Sequence, residues 1–221
     1  MVVLSLGGSL LFRGMAPDTR FMKSFSNILS GLRGVGVVVG GGTIARKYVD
    51  AAKKFSADNY DLDEIGISVT HANARLVATA LQGARFFEHL DEAVEYLELH
   101  KGIAVMGGMF PGETTDTVAA LMAEALGSRF VNLSNVDGVY DKNPHVFKGA
   151  KKYTQLTHKQ LVKFAAEHDK RKPRENFVID LLAAKILARS NIEAHFVNGR
   201  KKSDVVNAVY GKLHSGTRVI D

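Results

Sequence analysis

The chain contains no cysteine, which excludes a disulfide scaffold, thiol catalysis and any cysteine-ligated zinc or iron–sulfur site. Proline is scarce, at four residues, and no linker rich in Pro, Gly and Ser divides the sequence. No run approaches the roughly eighteen consecutive apolar residues that a membrane-spanning helix needs. The apolar first stretch has no positive charge before it and no small-residue cleavage site after it. It is therefore expected to be a buried strand of a cytoplasmic protein. Two motifs are also missing: without Gly-x-x-x-x-Gly-Lys-Ser/Thr there is no P-loop, and without His-Glu-x-x-His no zinc-binding helix of that type. Gly34-Val35-Gly36 begins like a dinucleotide fingerprint, but Val39 stands in the third glycine's place. The eight histidines show no metal-ligand spacing, and no metal-binding residue is assigned.

What is present describes a globular protein. The 221 residues are 46% hydrophobic and 24% charged, a balance typical of packed domains. A net charge of +6 suits polyanionic ligands in general, nucleotides and nucleic acids alike.

Apolar runs alternate with helical periodicity nearly throughout. Strands are expected at Val2–Leu6, Val35–Val39, Ala84–Phe87, Ile103–Met106, Phe130–Leu133, Lys151–Tyr153, Ala194–Val197 and Thr217–Ile220. Helices are expected at Phe21–Leu32, Ile44–Phe55, Asp63–Leu81, Asp91–Leu99, Thr117–Leu126, Lys159–Ala166, Val178–Arg189 and Asp204–Tyr210. Continuous apolar strands between amphipathic helices predict a mainly parallel sheet covered on both faces. Ligands of such sheets sit beyond the carboxyl ends of the strands. Four glycine-rich or polar segments fall there: 7–9, 40–42, 107–116 and 134–144.

Each segment has a plain and a functional reading. Gly40-Gly41-Gly42 could be a tight strand-to-helix turn, or could let backbone and helix N–H groups approach an anion, with Arg46 one turn on. Gly7-Gly8-Ser9 repeats that choice. Thr114, Thr115 and Asp116 stand where any one of them could cap a helix, yet the loop before them is too rich in backbone donors for a plain connector. Asp137-Gly138 fits a turn, and Tyr140 could lie against a planar base.

These segments resemble the amino acid kinase superfamily, most closely its archaeal-type uridylate kinases. The matching pieces are LSLGGS (4–9), VVVGGGTIARKY (37–48), MGGMFPGETTDTVAAL (106–121), SNVDGVY (134–140) and VIDLLAAKILARS (178–190). The resemblance implies a three-layer αβα sandwich in one domain, with a lobe of about 1–130 toward the phosphate acceptor and one of about 131–221 toward ATP. It implies transfer of the γ-phosphoryl of ATP to UMP, giving UDP, with magnesium accompanying ATP. Gly8, Ser9, Gly42 and Arg46 match positions around the ATP phosphates, and Ser134, Tyr140 and Asn143 those around its adenosine. Gly41, Asp63, Phe110, Pro111, Gly112, Glu113, Thr114, Thr115 and Asp116 match the UMP side. Asp180 matches an aspartate that arranges the reacting groups. Asp116 and Asp180 are expected to orient cations or water, not to abstract a proton, because a monophosphate is already largely ionised near pH 7. The resemblance further implies a homo-oligomer, in particular a homohexamer.

The match has two departures. Ser5 stands where many members carry lysine, with Lys185, Arg46 and Lys47 as candidate replacements. Asn143 stands where close relatives have aspartate. Segment 145–176 matches poorly, and its basic cluster Lys170, Arg171, Lys172 and Arg174 lacks the aromatic residues of a nucleic-acid stacking platform. No nucleic-acid or membrane partner is expected. The competing expectations are a superfamily kinase with another acceptor and a nucleotide-binding sensor or storage homologue without turnover.

Overall fold

A computed structural model describes residues 1–168 and 179–221. The basic cluster at 170–174 and the expected helix start at Val178 lie outside the described residues. In chain order the elements are β1 (Val2–Leu6), a short hairpin of β2 (Phe12–Arg13) and β3 (Ala16–Pro17), α1 (Thr19–Leu29), β4 (Val35–Val39) and α2 (Gly42–Ala52). There follow α3 (Asn59–Ala80), β5 (Ala84–Phe86), α4 (Leu90–His100), β6 (Ile103–Met106), α5 (Thr115–Ala125) and β7 (Arg129–Ser134). The chain ends with β8 (Gln155–Leu156), α6 (His158–His168), α7 (Leu181–Arg189), β9 (Ala194–Asn198), α8 (Lys202–Val209) and β10 (Thr217–Val219).

Eight strands form one sheet in the order β5-β6-β4-β1-β7-β9-β10-β8. Every neighbouring pair is parallel except β9 with β10. Side chains alternate across a strand, so Val3 joins the core under α4, α5, α6 and α7, while Leu4 and Leu6 join the core under α1, α3 and α8. This is the expected parallel sheet between two helical layers. Gly36 is explained by packing: a Cβ there would lie 2.3 Å from Met122 Sδ, so the glycine admits α5 to the sheet.

Several expected elements move; the helix expected from Asp63 begins at Asn59, where Asp58 caps it by accepting from Asp61 N. The helix expected to reach Leu32 stops at Leu29, because Ser30 turns extended and Gly31 takes a φ of +83°. Lys151–Tyr153 is not a strand. Lys152 makes an isolated bridge to Tyr140, and the ladder with β10 forms at Gln155–Leu156. The helix expected from Val178 begins at Leu181, with Asp180 as its cap. The β2–β3 hairpin turns through Gly14 at φ +61° and had no signal long enough to read.

Candidate active site

The four loops at the carboxyl ends of β1, β4, β6 and β7 converge. Segments 7–9, 40–42 and 134–144, with Thr115 and Asp116, line a cavity of about 650 Å³. Its walls include Gly8, Ser9, Gly42, Arg46, Ser134, Tyr140 and Asn143, all seven residues matched to ATP, together with Gly41, Thr115 and Asp116 from the acceptor set.

Glycine is required where the first two loops meet. A Cβ on Gly8 would lie 2.3 Å from both Gly40 O and Gly42 N, and one on Gly42 would lie 2.4 Å from Gly8 O. Gly42 also has a φ of +63°, which L side chains disfavour. Asn73, buried in α3, secures this junction by donating from Nδ2 to Gly40 O (2.9 Å) and Gly41 O (3.1 Å). Because α2 begins at Gly42, its first-turn N–H groups have no partner within the helix. The exposed Arg46 follows one turn later, its guanidinium 3.5 Å from Thr43 Oγ1. The segment is a tight strand-to-helix turn that also leaves the first-turn N–H groups of α2 and Arg46 beside the cavity.

The loop after β6 is held at two points by α3. Thr70 Oγ1 in α3 accepts from Gly108 N (2.7 Å), and His71 Nε2 meets Gly108 O (2.8 Å). Asp63 Oδ2 accepts from Gly112 N (2.8 Å), which ties the tip of the loop to α3. Phe110 is exposed beside it, whereas one carboxylate oxygen of Glu113 is buried without a hydrogen-bond partner. Phe110, Pro111, Gly112, Glu113, Thr114 and Asp63 are not among the residues lining the 650 Å³ cavity.

Thr114 caps α5, its hydroxyl accepting from Thr117 N (3.1 Å). Asp180 caps α7 by accepting from Ala183 N (2.9 Å), and it also accepts from the hydroxyls of Thr114 and Thr117. One carboxylate therefore staples the N-termini of α5 and α7. Asp116 sits in the first turn of α5 and accepts on a single oxygen, Oδ1, from Ser5 Oγ (2.5 Å) and Asn132 Nδ2 (2.9 Å). Burial, together with the charge of Asp180 and against those two donors, pushes its carboxyl up to about 7.

The cations are distributed unevenly. Arg46 and Lys142 line the cavity, while Lys47 and Lys185 are exposed and outside its lining. In the loop after β7, Asp137 accepts from Lys201 Nζ (2.7 Å) and Asn198 Nδ2 (2.9 Å). The Lys201 contact holds the Asp137 carboxyl below its usual range. Gly138 is obligatory there: its φ is +147°, and a Cβ would lie 2.6 Å from Thr217 Oγ1. Sequence reasoning missed Asn73, Thr70 and Asn132. Asn132 alone left a trace, an amide inside the apolar run of β7.

Residues 1–198 match the model of the amino acid kinase family. The chain is 41% identical to the uridylate kinase of Archaeoglobus fulgidus over 214 residues, 96% of either chain. It is 40% identical to that of Thermococcus onnurineus, over 99% of this chain and 98% of the relative. The crystal structure of the Archaeoglobus fulgidus enzyme superposes with a TM-score of 0.84 at 39% identity, covering 99% of each chain. A UMP kinase structure from Bacillus anthracis has a TM-score of 0.81 at 22% identity and shares the fold.

Proposed function

The chain belongs to the amino acid kinase family, and from that premise we propose that it is a uridylate kinase, transferring the γ-phosphoryl of ATP to UMP to give UDP and ADP. The observation that carries this reading is one cavity at the strand ends, lined by all seven residues matched to ATP and by three of those matched to UMP. Identity of about 40% to uridylate kinases over nearly the whole chain favours turnover over the sensor or storage alternative.

ATP enters as its magnesium complex, which is the substrate. The first-turn N–H groups of α2 and the Gly8–Gly42 junction bind its phosphates, helped by Arg46. Ser134, Tyr140 and Asn143 receive its adenosine. UMP lies against Asp63 and the 110–116 loop. The monophosphate needs no base, so catalysis is positioning and charge stabilisation, and Asp116 and Asp180 act as fixed carboxylates. The 1–130 lobe takes the acceptor and the 131–221 lobe the adenosine. The product serves pyrimidine nucleotide synthesis in the cytoplasm. Among the described residues no helix is long and apolar enough to cross a membrane.

The oligomer is proposed with it. Helix α2 contributes no buried residue, and Tyr48, Phe55 and Tyr60 around it are 61%, 85% and 62% exposed, an apolar patch suited to a second copy. A homohexamer is the expected state, read by sedimentation. The activity is tested by coupled ADP release with magnesium, ATP and a panel of UMP, CMP, dUMP, acetylglutamate and isopentenyl phosphate. Turnover with UMP supports the reading. Turnover only with another acceptor moves the assignment within the family, and ATP binding without turnover restores the sensor alternative.

A further inference from the structure

We infer that Ser5 and Asn132 are positioning residues, a matched polar pair on β1 and β7 that fixes the Asp116 carboxyl group in the phosphoryl-transfer site and favours its charged form. The inference rests on the uridylate kinase reading for what the carboxylate serves, but not for how it is held.

The two residues are an anomaly of packing. Ser5 and Asn132 are register partners on the two central strands, on the face that α5 covers. The neighbouring positions of that face, Val3, Val38 and Phe130, are wholly buried and apolar. Ser5 and Asn132 are themselves 3% and 5% exposed. A buried polar group is costly unless it is paired, and these two share one partner atom, Asp116 Oδ1, at 2.5 and 2.9 Å. Asn132 gains nothing else, because its Oδ1 has no hydrogen-bond partner. Both residues also line the 650 Å³ cavity beside Asp116, so the amide stands where core meets site, with Asp116 as its one hydrogen-bond partner.

Both donors act in the same direction. A hydrogen bond given to a carboxylate favours its charged form. Against them stand burial and the charge of Asp180 at the start of α7. Asp180 is itself occupied by Thr114, Thr117 and the α7 backbone. The cations lining the same cavity are Arg46 from α2 and Lys142 from the loop after β7. With the Asp116 carboxyl at about 7, loss of either donor tips it to the neutral acid at physiological pH. The acid cannot supply the fixed negative charge that orients cations and water around the transferred phosphoryl.

The test compares Ser5→Ala, Ser5→Thr and Asn132→Leu by the pH dependence of kcat/KM for UMP with magnesium and ATP. UMP ionises with its own pKa near 6, and this contributes equally to every variant, so differences between profiles report the enzyme. S5A and N132L are expected to move the acidic limb upward by about one pH unit each, losing most activity near pH 6 and recovering it near pH 9. S5T keeps a hydroxyl and is expected to keep the wild-type midpoint. A structural role alone would lower activity evenly across pH. The same proteins are read without nucleotide by carboxyl carbon NMR, the Asp116 resonance being identified through Asp116→Asn. Its midpoint is expected to rise in S5A and N132L. Unmoved or lowered NMR midpoints overturn the inference, as does a moved NMR midpoint with an unmoved rate profile. Failure of wild type to turn over UMP defeats the functional reading, and the NMR series then decides the holding of Asp116 by itself.

Discussion

Replacing Gly8 by alanine tests whether the site depends on backbone-to-backbone contact between its first two loops. Gly8 has no positive φ, so alanine meets no conformational penalty there and the whole cost is steric. The new Cβ would lie 2.3 Å from Gly40 O and from Gly42 N, neither of which can move as a side chain would. The loops must therefore part by about 1 Å to restore ordinary contact, and a misplacement of about 1 Å can cost about 10²-fold in rate. Overpacking of this kind also destabilises by about 1–3 kcal/mol. Gly8→Ala is accordingly expected to lose about 100-fold in kcat/KM for UMP and to show a clear fall in Tm. Gly149→Ala, at a site where a Cβ meets nothing within 4 Å, is the control and should match wild type. Steady-state kinetics with magnesium and ATP, alongside thermal unfolding, make the comparison. If Gly8→Ala stayed within threefold of wild type with unchanged Tm, the close approach of these loops would not organise the site.

Substitutions at three further positions separate acceptor binding from stability. Asp63→Ala removes the carboxylate that holds Gly112 N and is proposed to receive UMP, so KM for UMP should rise roughly three- to tenfold with a smaller change in kcat, measured at saturating ATP. Asp18 is buried, caps α1 through Phe21 N (3.0 Å) and pairs with Arg13 (2.7 Å) and Arg200 (2.9 Å), and the arginines hold its carboxyl well below the usual range. The stability it contributes is therefore fully present above its unfolded value of 3.8 and is lost as pH falls below it. Asp18→Ala should cost about 1 kcal/mol for the cap and, discounted for two partly exposed arginines, up to about 1 kcal/mol for the ion pairs. Asp18→Asn keeps the capping oxygen and should lose only the latter, and for both variants the difference from wild type should shrink as urea titrations move from pH 7 to pH 3. Gly66 lies inside α3 with open space where a Cβ would be, so Gly66→Ala should raise stability by about 0.5–1 kcal/mol.

The fold was legible wherever burial and periodicity coincide. Val2–Leu6, Val35–Val39 and Ile103–Met106 are apolar runs, broken only by Ser5 and Gly36, because both faces of the sheet are covered, and the expected bounds match the observed ones. The edge of the sheet was not legible, since Gln155–Leu156 is two residues long and owes its strand conformation to pairing with β10. The loops carrying the site were visible as glycine clusters, but spacing alone could not say why the glycines stand there. Gly8 and Gly42 answer each other across 34 positions of sequence, and only the fold brings them together. Asn73 and Thr70 look like ordinary polar residues of a helix. Their role comes from the packing of α3 beneath two loops from other strands.

The charge balance of the site leads to one more measurable consequence. On the proposed reading two anionic substrates meet where Asp116 and Asp180 already lie, and β1 offers Ser5 where many family members carry a lysine. Asp180 is satisfied by two hydroxyls and a backbone N–H, whereas Asp116 has two donors on one oxygen and a carboxyl pushed up to about 7 by burial. Among the described residues no cation is ion-paired with either carboxylate, so the least costly neutralisation of the ligand-free protein is a proton. ATP is an anion, and only the Mg2+ it carries favours the carboxylate; with that cation oriented by Asp116 as proposed, binding should expel the proton. At pH 7 wild type is expected to release more protons per site than Asp116→Asn, because burial raises the Asp116 carboxyl to about 7. Calorimetric titration of magnesium–ATP in buffers of different ionisation enthalpy reads this number directly. Asp116→Asn, which has no proton to lose, provides the baseline for protons released by ATP and magnesium themselves. Equal release from wild type and Asp116→Asn would mean that Asp116 is already ionised in the empty site, and that some other group balances its charge.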